Sequence, residues 1–257
     1  MTTKRANGSS TSGTPGTVVA QITAAGGSHL VGWTVFCATT STAGTQLRLT
    51  ITYADATTTT VDTVAATGHD IRANAGGALR SIAGAADAVT AFSAKEVTDV
   101  KVATLGVGTG TRYATIAGEE ELSGASTIKQ AGGSSASGTP ATTVADIQAA
   151  AGKYLAAVSV ACGQSVTAST ALSLIITYID GTSTTITTTS NSGRRLDANH
   201  GGGVTITGSA GSAVNAFSTK LITRVRVETS NTGVGTRYGV VSALEETPSR
   251  LAQMGVG

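Results

Sequence analysis

Charge is scarce in this sequence. Only 12% of its residues are Asp, Glu, Lys or Arg, against about 25% in an average soluble domain. The net charge is +2 and no basic run occurs. That excludes a nucleic-acid binder, which needs clustered Lys and Arg to neutralise phosphates. Aromatic residues are also few, at 4%. No stretch approaches the roughly 18 consecutive apolar residues of a membrane-spanning helix. After Lys4-Arg5 no apolar run follows, so no secretory signal is expected. Only two cysteines occur, Cys37 and Cys162. Both lie in apolar, strand-like runs and read as small buried hydrophobes.

What the sequence has instead is Gly, Ala, Ser, Thr and Val. Thr and Gly are poor helix formers, whereas Thr and Val suit pleated sheets. The Val, Ile and Leu content is too high for a disordered chain.

The chain is one unit written twice. Ser12-Gly-Thr-Pro15 recurs as Ser137-Gly-Thr-Pro140, and Ile51-Thr-Tyr53 as Ile176-Thr-Tyr178. Ala91-Phe-Ser93 recurs as Ala216-Phe-Ser218, and Gly110-Thr-Arg-Tyr113 as Gly235-Thr-Arg-Tyr238. Every pair is offset by 125 without a gap. The unit is domain-sized, far longer than a solenoid repeat. Cys37 and Cys162 are equivalent interior positions of separate domains, so no disulfide is expected between them.

Gly/Ser-rich stretches precede each unit and read as flexible connections. The expected organisation is a flexible arm over 1–16, a domain over 17–125, a linker over 126–141, a second domain over 142–250 and a tail over 251–257.

Period-two alternation marks the strands. Val31, Trp33, Val35 and Cys37 share one face, and Leu30, Gly32, Thr34 and Phe36 the other. Leu47, Leu49, Ile51 and Tyr53 form a core face, matched by Leu172, Leu174, Ile176 and Tyr178. Asp180-Gly181 is a hairpin signal. The first copy has Asp55-Ala56 there, so a different turn is expected. Further strands are expected at 17–23, 57–65, 79–83, 97–104 and 111–117, about seven per domain, with a short helical turn allowed at 87–92. The fold class is all-β: two tandem homologous antiparallel β-sandwiches, Ig-like or jelly-roll-like.

Catalysis needs converging polar groups, and the duplication tests for them. His29 aligns with Tyr154, His69 with Arg194, and His200 with Ala75, so no histidine recurs. No metal-ligand spacing and no nucleophile motif is present. No cofactor and no enzymatic activity are expected. The Gly106-Val-Gly-Thr-Gly110 run lacks the Gly-Lys-Ser/Thr ending of a phosphate loop and leads into a strand, so it reads as a turn. The charges shared by both copies include Asp55/Asp180, Lys95/Lys220, Arg112/Arg237 and Glu120/Glu245. Lys95, Asn74 and Asp55 admit an isopeptide crosslink, but they read instead as a surface Lys, a turn Asn and a hairpin Asp. The threonine runs lack the short period of ice-binding ranks and read as solvent-facing strand residues.

The two copies differ on their surfaces. Phe36 faces away from the predicted core and has Ala161 as its counterpart. Residues 1–125 carry 8 Lys/Arg and 9 Asp/Glu; residues 126–250 carry 9 and 6. Arg194, Arg195, Arg224 and Arg226 account for much of that difference. Phe36 and these four arginines are the candidate interface residues.

The tandem β-domains, Thr/Ala/Gly/Ser-rich strands and Gly/Ser arms resemble the accessory virion proteins of tailed bacteriophages: capsid decoration or cement proteins, head fibres and minor tail proteins. The resemblance covers the whole chain and rests on composition and architecture. It implies a non-enzymatic structural protein of the virion, made in the host cytoplasm. Its partners would be a major capsid or tail protein and copies of itself, in a symmetric homo-oligomer, with no nucleic acid and no membrane. The alternative is a cell-surface adhesion or carbohydrate-binding module.

Overall fold

A computed structural model describes residues 1–64, 69–82, 84–165, 167, 169–188, 194–207 and 210–248. The expected tail over 251–257 lies outside the described residues. The described chain consists of strands and turns, with no helix.

The first unit holds β1 (Thr2–Ser10), β2 (Val18–Thr23), β3 (Ser28–Thr39), β4 (Leu47–Tyr53) and β5 (Thr58–Asp62). It continues with β6 (His69–Asn74), β7 (Gly77–Ile82), β8 (Ala85–Ala91), β9 (Val97–Thr104) and β10 (Arg112–Leu122). The second unit repeats this as β11 (Thr127–Ser135), β12 (Thr143–Gln148), β13 (Tyr154–Gln164), β14 (Leu172–Tyr178) and β15 (Ser183–Thr187). Its remaining strands are β16 (Arg194–Asn199), β17 (Gly202–Thr207), β18 (Ala210–Ala216), β19 (Ile222–Thr229) and β20 (Arg237–Glu246).

All pairings are antiparallel. In the first unit one layer runs β5-β4-β9-β2 and the other β1-β10-β3-β6-β7-β8. A single bridge, Leu30 to Val97, joins them at a corner. The second unit copies this, with Leu155 to Ile222 as the bridge. Between the layers lie Ile22, Trp33, Val35, Leu49, Ile51, Ile71, Val100, Val102 and Ile116. Leu49 and Leu174 are fully buried, as their alternation predicts.

Several expectations are corrected. The stretches 1–16 and 126–141 are not a flexible arm and linker over their length. Thr2–Ser10 and Thr127–Ser135 are edge strands, paired along β10 and β20. An edge of unpaired amides and carbonyls recruits any unobstructed backbone, and Gly and Ser present no obstruction. The glycines mark close approach rather than freedom: a Cβ on Gly8 would stand 2.1 Å from the Val19 carbonyl oxygen, and one on Gly133 2.4 Å from that of Val144. Only four residues, 123–126, separate β10 from β11. Among the described residues each unit also has ten strands rather than about seven. The additional ones are β1, β6 and β8, and β8 takes the place of the helical turn allowed at 87–92. Its alanines pair with β7, and pairing satisfies the backbone better than one isolated helical turn.

The Asp55-Ala56 turn is not different from its glycine-bearing counterpart. Ala56 adopts φ 63° where Gly181 has φ 80°. Asp55 Oδ1 accepts the Thr57 amide at 3.1 Å, and Asp180 Oδ1 accepts that of Thr182 at 3.0 Å. The shared aspartate, not the glycine, fixes the turn.

Candidate functional site

The two units meet along a seam. From the first unit come β6, β7 and β8; from the second, the outer faces of β11, β20 and β13. Leu79, Ala86, Ala161 and Val240 form an apolar cluster there, flanked by Val89 and Tyr238. Backbones touch where glycines allow it. A Cβ on Gly132 would stand 2.7 Å from the Gly76 carbonyl oxygen, and one on Gly77 2.9 Å from Val240 Cγ1. Asn74 Nδ2 donates to the Ser159 carbonyl at 3.1 Å, and its Oδ1 accepts the Gly76 amide at 2.8 Å.

At one end of the seam, repeat-equivalent residues touch each other. Arg195 Nη1 donates to Asp70 Oδ2 at 2.8 Å. Arg72 pairs with Asp197. A Cβ on Gly32 would lie 3.6 Å from that of Ala157. Positions 70/195, 72/197 and 32/157 are all separated by 125. Residues meet their own counterparts only near the axis that relates the two copies. Identical sequences would place Asp on Asp and Arg on Arg. Here the signs are exchanged, so repulsion becomes two crossed ion pairs.

The seam is one-sided. The outer face of β20 is covered by β8: Val240 is 0% exposed and Ser242 is buried. The equivalent face of β10 is open, with Tyr113 48% exposed and Thr115 and Ala117 exposed. Conversely Leu79 and Ala86 are buried, while their counterparts Val204 and Gly211 are half-buried and exposed. On the open flank lies a cleft of about 770 Å³, walled by Arg5, Asn7, Phe36, Arg72, Asn199 and Val204.

The five candidate interface residues do not converge. Phe36, on β3, is 44% exposed beside this cleft, with the Arg72 guanidinium 5.7 Å above its ring. Arg195 is buried in the seam. Arg194 donates to the Thr207 hydroxyl across the β16–β17 pair. Arg224 and Arg226 lie on β19, in the other layer. Arg224 is held by Asp146, with Nε to Oδ1 at 2.9 Å, and Arg226 pairs with Glu228 at 3.1 Å. The sequence reading named Arg195 but not Asp70, Arg72 or Asp197, and took Asn74 for a turn residue. The signal is the opposite charges at 70/195 and 72/197, which a sum of charge over each copy hides.

Repeated polar residues elsewhere hold loops. Arg112 is 0% exposed and meets no carboxylate. Its Nε donates to Gln46 O at 2.8 Å, Nη1 to Ser12 O at 2.8 Å and Gly110 O at 3.3 Å, and Nη2 to Gly106 O and Gly108 O at 2.8 Å each. Burial pushes its pKa down from the usual arginine value, yet five fixed donors on carbonyls keep the charge solvated. Arg237 does the same with Ala171 O, Ser137 O and Gly235 O, each at 2.9 Å. The Gly106–Gly110 run is therefore a turn clamped by Arg112. Lys95 pairs with Asp55 at 2.5 Å, while Asn74 bonds across the seam, so the three isopeptide candidates do not meet.

Glu245 accepts the Ala150 amide at 2.7 Å, with Lys153 at 3.1 Å and Lys129 at 3.2 Å. These contacts hold its carboxyl down at about 2. Burial pushes the Cys37 thiol up to about 12 and that of Cys162 also upward. Among the described residues no group of three or more His, Cys, Asp or Glu is placed to hold a metal ion. No helix there is long and apolar enough to cross a membrane.

No protein-family model and no curated protein sequence matches the chain. Solved structures that superpose on it include the STIV MCP, from Sulfolobus turreted icosahedral virus, at 12% identity and TM-score 0.34, covering 100% of this chain and 99% of that one. The PBSX exported protein XepA matches at 11% identity and TM-score 0.27, covering 94% and 86%. Infectious bursal disease virus, Gt strain, matches at 13% identity and TM-score 0.22, covering 96% and 71%. The chain is similar to these in its β-strand layers, and at such scores the likeness ends there.

Proposed function

We propose that this chain is a non-enzymatic structural protein of a virus particle, of the capsid-decoration or head/tail accessory kind, that works by binding surfaces. The observation that carries this reading is where its recurring polar side chains go. Arg112 and Arg237 clamp loops, Asp55 and Asp180 set hairpins, and Glu120 and Glu245 anchor turns. What the duplication preserved is scaffold. The tandem architecture and composition resemble tailed-phage accessory proteins, which supplies the particle context.

Mass spectrometry of purified virions tests this. The chain is expected in the particle at a fixed ratio to the major capsid or tail protein. Its absence from intact particles would overturn the reading. One observation favours carbohydrate binding instead: the cleft presents Phe36 with Asn7 and Asn199. Binding on a glycan array that Phe36→Ala abolishes would support that reading.

A further inference from the structure

We infer that the open cleft between the two units is a binding site for an acidic oligosaccharide, which rests on the Phe36 ring and is anchored through its carboxylate by Arg5. The inference rests on the carbohydrate reading of this cleft and adds the charge of the ligand and the residue that reads it.

The cleft is the seam's own counterpart, kept open by side chains. In the seam, hairpin β7–β8 lies on the face of β11, β20 and β13. The backbones come so close that a Cβ on Gly132 would stand 2.7 Å from the Gly76 carbonyl oxygen. On the open side Asn7 stands at the position of Gly132, and Phe36 at that of Ala161. Neither the amide nor the ring fits such a gap, so hairpin β17–β18 stands off. A Cβ on Gly201, the counterpart of Gly76, would meet nothing across the cleft, only Asn199 Oδ1 of its own turn at 3.4 Å. The space left is about 770 Å³, within the range of small-molecule sites.

Strand register lays the cleft floor out in two ranks. Asn7, Thr115, Phe36 and Arg72 stand side by side across β1, β10, β3 and β6. Arg5, Ala117, Thr34 and Asn74 form the next rank. Arg5 and Phe36 are therefore two strand spacings apart, about 10 Å, with the small Ala117 leaving room between them. In the seam the equivalent groups are spent on the covering hairpin. Gln130, the counterpart of Arg5, donates to the Phe92 carbonyl at 3.1 Å, and Ala161 is buried. On the open side they are unspent. Phe36 is 44% exposed, and Arg5 is exposed with no hydrogen-bond or ion-pair partner among the described residues. The other cation of the cleft, Arg72, already pairs with Asp197 and lies 3.7 Å from Asp70. Arg5 is thus the uncompensated charge.

These groups select a ligand class. An exposed ring takes the C–H face of a sugar, and amides and hydroxyls take its hydroxyl groups. A guanidinium takes a carboxylate through two parallel hydrogen bonds. One free cation suits one carboxylate and is too little for a nucleic-acid strand. A peptide that adds as a strand needs an open sheet edge, whereas β10 and β3 are paired on both sides and offer only side chains to the cleft.

A glycan array carrying sialylated and uronate-bearing oligosaccharides beside their neutral parents tests this on the full chain, and titration calorimetry then measures the strongest acidic ligand. That ligand is expected to bind about tenfold or more tighter than its neutral parent, as a charge-assisted hydrogen bond provides. The preference should shrink as salt rises. Arg5→Gln should bring the acidic ligand down to the level of its neutral parent, and Arg5→Lys should restore part of the difference. Phe36→Ala should abolish binding of both. Both side chains are exposed, so the circular dichroism of each variant should match wild type. Equal binding of acidic and neutral members, or a preference that survives Arg5→Gln, would overturn the Arg5 anchor and leave the carbohydrate reading standing. A chain that binds no saccharide would overturn both.

Discussion

Asp70 and Arg195 stand 125 positions apart in the chain and 2.8 Å apart in space, each the repeat counterpart of the other. One step along, Arg72 and Asp197 make the reverse pair. The axis between the two sandwiches passes near this quartet, and the exchange of sign makes each copy prefer the other over itself. That is specificity by charge placement.

The quartet therefore predicts a compensating cycle. Asp70→Arg and Arg195→Asp should each lower the unfolding midpoint, and the double variant should recover part of the loss. The coupling energy should be about 0.5–3 kcal/mol, the range for residues in one ion-pair network. Urea denaturation of the four proteins measures it. Strictly additive losses would contradict the pairing.

Leu49→Ala and Leu174→Ala each leave a cavity in a closed core, since both residues are 0% exposed. Each should cost about 2–5 kcal/mol. A change below about 0.5 kcal/mol, usual for surface sites, would refute their placement.

Arg112→Met should be severely destabilising although it removes a buried charge. It keeps some of the stem but strands the carbonyls of Ser12, Gly106 and Gly108, while that of Gln46 keeps the Leu105 amide. A fully buried stranded acceptor costs about 1–3 kcal/mol, and these half-buried ones cost less each. Thermal melts of Arg112→Met and Arg112→Lys should both fall well below wild type. An unchanged midpoint for Arg112→Met would show that the loops hold themselves.

Acid should expose the Glu245 anchor. Its carboxyl has a pKa of about 2 in the folded chain and about 4.3 when unfolded. A carboxylate depressed by folding contributes stability above the unfolded value and loses it as pH falls toward the folded one. Between about pH 4.5 and pH 2, wild type should therefore lose more stability than Glu245→Gln. Urea midpoints at pH 6 and pH 3 decide it; parallel losses in both proteins would exclude Glu245 as a source.

Ala56 at φ 63° carries a left-handed backbone that costs an L-residue roughly 1–2 kcal/mol. Ala56→Gly should relieve part of that cost and raise the melting temperature, even though glycine gains freedom when unfolded. A lower melting temperature would show that the freedom glycine gains in the unfolded chain outweighs the strain relieved.

Much of this was legible from residues alone. The exact 125-residue offset gave two like domains, and period-two alternation placed Leu49, Tyr53, Leu174 and Tyr178 inward, because a pleated strand sends alternate side chains to opposite faces. The edge strands β1 and β11 were not legible. Their Gly/Ser sequences carry no alternation, and they are strands only because β10 and β20 offer an open edge.

By itself, then, the sequence determined an all-β chain built twice, with a hydrophobic core in each half, since those properties follow from local periodicity and repetition. The seam was decided only in three dimensions. Asp70 and Arg195 look like two unrelated surface charges until folding brings their equivalent strands to a common axis. Phe36 and Val214 look like isolated exposed apolar residues until their counterparts, Ala161 and Val89, are seen packed in the seam. Which faces touch depends on the relative placement of whole sheets, and no local pattern in a strand encodes that.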